Sequence, residues 1–288
     1  MRLLFIHGIA QQDYSEEQLL GIWTDHLLEH GIDLDKLHAA KPEMAYYGDR
    51  IYQWANRGAE SHVTMGPIMQ DPEFAFLSKA LDEIARANAL DEDEIEKLVS
   101  QAAIEEGARA VGQSTWLGRR AVAIVDLLER VSPLRGRIAV KVIRQAYVYL
   151  ANKNARKEID DLVRPRVGTG EVVVVSHSLG TVIAFNLLRE LSNSGADIKF
   201  PLFVTLGSPL AVKEVQRWVG GTFSVPKMVT KWMNFYDTGD PVTLGRGLST
   251  GFASGIVDTL VDNNTNNAHS IAGYLDDSAL INSLNLAL

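Results

Sequence analysis

The chain of 288 residues contains no cysteine. This absence excludes disulfide bonds and metal sites built on thiolates, and it is compatible with a reducing compartment. No segment reaches the roughly 20 consecutive apolar residues that a membrane-spanning helix requires. The apolar run at residues 2–6 is too short for a signal peptide. We therefore expect a cytoplasmic protein without a transmembrane segment.

Positive charge is the minority sign, because 28 Lys and Arg residues stand against 36 Asp and Glu residues, for a net charge of −8. No long basic run occurs, so we expect no nucleic-acid partner. Hydrophobic residues make up 46% of the chain and charged residues 22%, which is typical of a globular protein with a sizeable core. The composition does not indicate an oligomeric state.

One stretch has a strong pattern. Residues 172–175 are four consecutive valines, which predict a strand buried on both faces. After Gly180, apolar residues recur at helical spacing, so a helix must follow within about four residues. Ser178 stands at the apex of this turn, between the small residues Ser176 and Gly180. A hydroxyl at this place lies at the N-terminus of a helix, which favours developing negative charge.

The segment Ser176-His177-Ser178-Leu179-Gly180 resembles the nucleophile elbow of α/β-hydrolases, with serine in place of the first glycine of Gly-X-Ser-X-Gly. The resemblance implies that Ser178 is the nucleophile. The segment His7-Gly8-Ile9, after the strand predicted at residues 2–6, is similar to the oxyanion loop of that family. It implies that the backbone N–H groups of Ile9 and Leu179 bind the oxyanion. We interpret His7 as a structural residue that shapes the loop.

Strand and helix patterns alternate along most of the chain. Further strands are predicted at residues 42–47, 202–206, 228–236 and 255–261, with helices at 16–30, at 137–166 and from about 273. This alternation predicts an α/β fold with a mostly parallel central sheet of about six strands flanked by helices. The resemblance implies an α/β-hydrolase fold that lacks the first two strands, because the segment similar to the oxyanion loop already follows the strand predicted at residues 2–6. We expect a single domain over residues 1–288.

Residues 50–136 interrupt this alternation. After a loop predicted at residues 65–69, apolar residues recur at helical spacing without strand signals, in stripes that begin near Phe74, Ile95 and Leu117. We predict a helical insertion in the α/β domain. Two interpretations stay open: the insertion is a lid over the active site, or it is a set of extra helices packed on the body.

A serine nucleophile needs a base, and the base needs an acid that orients it. Only His177 and His269 lie in or after the elbow strand, and His177 is adjacent to Ser178 in the turn and should point elsewhere. His269 is therefore the candidate base. The family's chain order of serine, acid and histidine places the acid between Ser178 and His269.

Two carboxylates follow the strand predicted at residues 228–236. The run Asp240-Pro-Val resembles the segment that carries the acid in lipase-like hydrolases, and it favours Asp240. Asp237 is the main alternative, although it would also suit a hydrogen bond within the turn. Asp258 and Asp262 are more distant choices.

The resemblance implies a serine hydrolase that cleaves a carboxylic ester or a lipid ester through an acyl-enzyme. We identify no metal-binding pattern and expect no cofactor. A thioesterase, amidase or peptidase would use the same residues and is the alternative within enzymes. The alternative from another class is a non-catalytic module that binds a protein partner through the insertion.

Overall fold

The computed structural model describes residues 1–61, 72–109, 116–263 and 267–288. Its strands are β1 Arg2–Ile6, β2 Glu43–Ala45, β3 Gly170–His177, β4 Ile198–Leu206, β5 Val229–Tyr236 and β6 Ile256–Leu260. They form one sheet in the order β2-β1-β3-β4-β5-β6, and every neighbouring pair is parallel. The predicted α/β class with a six-stranded parallel sheet is confirmed.

The helices of the first half are α1 Glu16–Glu29, α2 Leu34–Ala39, α3 Gly48–Ser61, α4 Pro72–Ala87, α5 Glu92–Arg109, α6 Trp116–Val131 and α7 Arg135–Ala151. Those of the second half are α8 Lys153–Val167, α9 Leu179–Ser194, α10 Lys213–Val219, α11 Ile271–Leu275 and α12 Ser278–Ala287. Within the described ranges, none of these helices is long and apolar enough to cross a membrane.

The single long helix predicted at residues 137–166 is wrong, because the structure has two helices there, α7 and α8. The break is at Asn152, whose backbone is extended (φ −96°, ψ 105°). Its side-chain oxygen accepts hydrogen bonds from the amides of Asn154 and Ala155, at 3.0 and 3.1 Å. Asparagine is a strong N-cap residue, so it ends one helix and begins the next although the apolar periodicity continues.

The valine run lies in the centre of the sheet and is fully buried. Because side chains alternate along a strand, Val173 and Val175 join the apolar cluster on one face, and Val172 and Val174 join the cluster on the other. The face of Val173 is covered by α1, α2, α11 and α12. The other face is covered by α8 and α9, and α7 and the helices of the insertion pack outside them. The sheet is therefore the middle layer of three.

The insertion packs onto the body of the protein. Buried residues of α4, α5 and α6, such as Leu81, Ile95 and Ile124, belong to the same apolar cluster as Val172 of β3. The structure thus has the predicted helices, and whether they also act as a lid stays a prediction. The loop predicted at residues 65–69 lies outside the described residues.

The parallel arrangement brings the loops after the strands to one edge of the sheet. The carboxyl ends of parallel strands meet at the same edge, which is where α/β proteins place their ligands. The loops after β1, β3, β4, β5 and β6 are called the strand-end loops below. They contain Ile9, Ser178, Asp240 and His269, and Leu179 directly follows the loop after β3.

Candidate active site

Ser178 is the single residue between β3 and α9. Its backbone has φ 54° and ψ −126°, a conformation that is costly for a residue other than glycine. Its amide donates to the carbonyl of Leu206, at the end of β4, at 3.0 Å. The structure therefore has the tight strand-to-helix turn predicted from the sequence, with a strained serine at its apex.

Two glycines let the loop after β1 touch this turn. A Cβ added to Gly180 would collide with the carbonyl oxygens of Ile6 and His7, which are backbone atoms that cannot move aside easily. A Cβ added to Gly8 would lie 2.6 Å from the Cβ of Ser178. Neither position has room for a side chain, which explains the glycine at each of them.

Ser176 occupies the place of the first glycine in the usual elbow pattern. Its side chain is fully buried, and its Oγ donates to the carbonyl of Val204 at 2.8 Å. A buried hydroxyl is tolerated when it has a hydrogen-bond partner. The departure from the usual pattern is therefore accommodated without distorting the turn.

Three side chains from three strand-end loops form a hydrogen-bonded chain. His269 Nε2 lies 2.8 Å from Ser178 Oγ, and His269 Nδ1 lies 2.7 Å from Asp240 Oδ2. A carboxylate only accepts, so the Nδ1 atom carries the proton and Nε2 is free to accept from the hydroxyl. All three side chains are buried. This is the arrangement in which a histidine can deprotonate a serine while a carboxylate holds the imidazole.

The four candidate acids have different partners. Asp240 accepts from the phenol of Tyr274 at 2.8 Å and from the amide of Val242 at 3.1 Å, in addition to His269. Burial, and then the charge of Asp240, raise the pKa of Tyr274 well above its ordinary value, so the phenol remains a donor. Asp240 is thus held on both oxygens with one edge toward the imidazole.

The Asp237 carboxylate binds backbone amides and not the imidazole of His269. One of its oxygens accepts from the amide of Gly239 and the other from the amide of Asn263, the latter at 2.6 Å. It therefore fixes its own turn and the chain that leads toward His269. Asp258 accepts from backbone amides of the 248–249 turn at 2.8 Å, and Asp262 is exposed. Of the four carboxylates, the geometry brings Asp240 to the histidine.

Gly207, directly after β4, supports the pair formed by Asp240 and His269. Its φ is +53°, and an added Cβ would lie 2.9 Å from Asp240 Oδ2 and 3.3 Å from His269 Nδ1. Glycine adopts a positive φ without strain and leaves the space that the carboxylate occupies. The sequence shows a glycine turn at this place, but the contact with the acid depends on how β4 and β5 pair.

His7 is held as a neutral ring beside the turn. Its Nε2 accepts from the amide of Tyr47 at 3.0 Å, and its Nδ1 donates to the carbonyl of Gly8 at 2.7 Å. The imidazole of His7 stacks on the phenol ring of Tyr47, with the ring centres 4.1 Å apart. Burial lowers the pKa of His7 to about 4. The contacts agree with a structural residue that shapes the loop of Gly8 and Ile9.

The two amides predicted as oxyanion donors flank this contact. Leu179 is the first residue of α9, and the first amides of a helix have no acceptor within it. Ile9 follows Gly8, which packs against Ser178. In the part of the chain that is described, neither amide is engaged by a protein acceptor. Their role as oxyanion donors stays a prediction.

His177 is directed at the backbone of His269 and not at the Ser178 hydroxyl. Its Nε2 lies 3.1 Å from the carbonyl oxygen of His269, and the two rings are 4.8 Å apart. Burial, and then the charge of His269, lower the pKa of His177 well below its ordinary value. A neutral His177 donating to this carbonyl holds the loop that carries His269.

A cavity of about 580 Å³ lies in the helical insertion, between α4, α5, α6 and α7. Its lining is mainly apolar and includes Leu77, Leu81, Leu98, Val122, Val125 and Val140. Ser178, Asp240 and His269 are not among the lining residues, and the side chain of Ser178 has no exposed surface. In this conformation a substrate has to displace part of the surrounding structure to reach the hydroxyl.

A comparison with models of protein families and with curated proteins finds no match. The interpretation of the site therefore depends on its own geometry. A strained serine, a histidine and a carboxylate, all on strand-end loops of a parallel sheet, have the spacing of a nucleophile, a base and its orienting acid. The arrangement is suited to acyl transfer through a serine ester.

One cluster outside this site was not predicted from the sequence. His26 and His30 are four residues apart at the end of α1, and the structure places both beside Asp276. The His-X-X-X-His spacing is visible in the sequence. The third member is 246 residues beyond His30, and no sequence pattern connects it with the histidines.

Proposed function

We propose that the protein is a serine hydrolase of the α/β-hydrolase type that cleaves a carboxylic ester or a lipid ester. The observation that carries the proposal is the continuous chain from Ser178 Oγ through His269 to Asp240, with links of 2.8 and 2.7 Å. The strained backbone of Ser178 supports it, because such strain persists where the surrounding structure enforces it and is concentrated at functional sites.

The proposed mechanism is acyl transfer through a serine ester. His269 Nε2 takes the proton of Ser178 while Oγ attacks the ester carbonyl carbon. The N–H groups of Ile9 and Leu179 bind the oxyanion, and His269 then gives its proton to the leaving alcohol. Water, activated by His269, releases the acid from the acyl-enzyme and restores the serine. Every step uses groups of the chain itself and needs no cofactor.

We infer an apolar acyl group from the insertion, although its cavity is separate from Ser178 in this conformation. The cavity between α4 and α7 is lined mainly by aliphatic side chains and has the size of a small-molecule pocket. A thioester, an amide or a peptide would be attacked through the same three residues. Esters of graded chain length, assayed beside a thioester and an anilide, separate these substrate classes.

A fluorophosphonate probe, which reacts covalently with activated serines, tests the proposal. We expect the wild-type protein to be labelled and the variants Ser178→Ala and His269→Ala to remain unlabelled. Ser270→Ala is the matched control, because its hydroxyl is adjacent to the base but does not cap α11. Labelling of all four proteins, or of none, would contradict the assignment.

A second candidate function is the binding of an apolar ligand or partner by the insertion without catalysis. It is favoured by the cavity and by the exposure of Trp116 and Val122 on α6, at 47% and 61%. Exposed apolar surface beside an apolar cavity is typical of an interaction site. If the probe fails to label Ser178 while a fluorescent fatty acid binds and Leu98→Asp abolishes that binding, this candidate replaces the first.

A further inference from the structure

Three metal-ligand side chains meet on the face of the molecule where α1 packs against α11. His26 lies in the last turn of α1, His30 directly follows that helix, and Asp276 directly follows α11. One ligand atom from each residue lies within 4.8 Å of the others. The cluster therefore joins two helices that are far apart in sequence, and it is separate from the Ser178 site.

The distances fit the ligands of one metal ion as well as they fit hydrogen-bonded pairs. Nδ1 of His26 and Nδ1 of His30 lie 3.1 and 3.3 Å from the same oxygen of Asp276. With metal–ligand bonds of about 2.0–2.2 Å, two ligands of a tetrahedral zinc ion are about 3.3 Å apart. Both distances between a histidine nitrogen and the Asp276 oxygen are therefore close to the distance between two ligand atoms of a tetrahedral zinc ion.

The helix geometry supplies the histidine pair. Residues four apart project from the same side of a helix, and two histidines at this spacing are a recurrent zinc-binding arrangement. The rings of His26 and His30 are nearly parallel, at 15°, with their centres 6.2 Å apart. The three side chains are 30–37% exposed, so water has access to the remaining coordination positions.

We propose that His26, His30 and Asp276 form a binding site for one divalent transition-metal ion, with zinc as the best fit. Two imidazoles and one carboxylate suit zinc, copper or nickel, whereas calcium and magnesium prefer sites made of oxygen ligands. The site leaves at least one position for water. It is not needed for the proposed hydrolysis.

One contact competes with metal binding. Nδ1 of His30 also lies 2.8 Å from the carbonyl oxygen of His26, to which it donates in the metal-free state. Coordination through this atom requires the proton to move to Nε2 and breaks the hydrogen bond to the His26 carbonyl, which opposes metal binding. The affinity is moderate for the same reason.

A bound metal would fix the helix that supports the acid, Asp240. Asp276 ends α11, the helix that carries Tyr274, and Tyr274 donates to Asp240. The ion would tie this short helix to α1 near the other end of the chain. An ion that binds only the folded protein stabilises it, so the metal should raise the thermal midpoint.

The test is a calorimetric titration of Zn²⁺ into the purified full chain after treatment with a chelator that is then removed. We expect one Zn²⁺ per chain with micromolar affinity and a higher thermal midpoint with the metal. His30→Ala and Asp276→Asn should each bind at least tenfold more weakly, because each removes one of three ligands. His38→Ala, an exposed histidine on α2, is the matched control and should bind like the wild type.

Two results would overturn the proposal. The first is a failure of the wild-type chain to bind Zn²⁺ at micromolar concentrations. The second is a loss of binding in His38→Ala as large as the loss in His30→Ala. Circular dichroism of each variant establishes that it is folded before the titration is compared. A change in the visible absorption of Co²⁺ when it binds the wild type, absent in Asp276→Asn, gives an independent measure of the coordination.

Discussion

The strand-end loops and the helical insertion are built from different kinds of contact. In the loops, glycines at positions 8, 180 and 207 let backbone and side-chain atoms approach to distances that no Cβ would allow. In the insertion, helices are joined by apolar side chains and by ion pairs around Arg120, which reaches Asp82 at 2.8 Å and two glutamates of α5. The insertion also contains the cavity of about 580 Å³.

This difference indicates where the protein requires precise positions and where it tolerates change. Reacting groups have to be held to a fraction of an ångström, and the close contacts of the strand-end loops do this. A helical layer with a cavity tolerates substitution, since loose packing leaves room for rearrangement. Small changes in the loops should therefore abolish activity, and larger changes in the insertion should mainly alter stability or the choice of substrate.

The largest effect is expected at the acid. Asp240→Asn should lower the rate of fluorophosphonate labelling or ester hydrolysis about 10⁴-fold, because an amide no longer holds the imidazole with its proton on Nδ1. Asp237→Asn keeps a side chain of the same size in the neighbouring turn, and it should lower the rate by no more than about tenfold. Equal losses in both variants would contradict the assignment of Asp240.

Glycine 207 should be nearly as sensitive. In Gly207→Ala the added methyl group enters the space of Asp240 Oδ2 at 2.9 Å and separates the acid from the base. We expect a loss of about 10³-fold in labelling rate, because the acid is displaced although it is present.

Gly195→Ala provides the matched control for this substitution. Gly195 also has a positive φ, +71°, but no atom lies within 4 Å of an added Cβ. It should lose about 1 kcal/mol of folding stability from backbone strain and keep its activity. If both variants lose activity equally, the effect of Gly207→Ala comes from strain and not from the contact with Asp240.

The sequence predicts the sheet and the three side chains that form the hydrogen-bonded chain, because their signals can be read along the sequence. The valine run, the glycines around Ser178 and the order of Asp240 and His269 are readable along the chain. The supporting contacts were not predicted. The hydrogen bond from Tyr274 to Asp240 joins residues 34 apart, and it depends on how α11 packs under the sheet.

Two other features were also not predicted from the sequence, for different reasons. The break at Asn152 escaped prediction because a single capping side chain overrides a continuous apolar period. The Asp276 cluster escaped because its carboxylate comes from the other end of the chain. Local patterns predict elements, and long-range packing decides which side chains meet.

As the pH falls, the strand-end loops should lose stability before the insertion does. His7 has a pKa of about 4 in the folded protein against about 6.5 when unfolded, so the unfolded chain binds more protons between these values. Stability from this residue is complete above pH 6.5 and is lost as the pH falls toward 4, by about 3 kcal/mol at pH 4.

Urea unfolding between pH 7 and pH 4 measures this loss. His177, whose pKa is also lowered by burial, should add to it with the same sign. In His7→Gln, which does not titrate, the dependence on pH should be smaller by about one proton. An equal pH dependence in the variant and the wild type would show that His7 is not kept neutral by burial.

The smallest effect on activity is expected in the insertion. Arg120 is 8% exposed, and Arg120→Met removes its ion pairs but keeps an apolar stem of similar length. Because Glu92 and Glu96 remain partly exposed to water, we expect a loss of only about 1–2 kcal/mol of stability and labelling of Ser178 within twofold of the wild type. Thermal unfolding and probe labelling of the same sample measure both quantities. A large loss of labelling without a loss of stability would show that the insertion positions the reacting groups, and the two regions would then have to be treated as one functional unit.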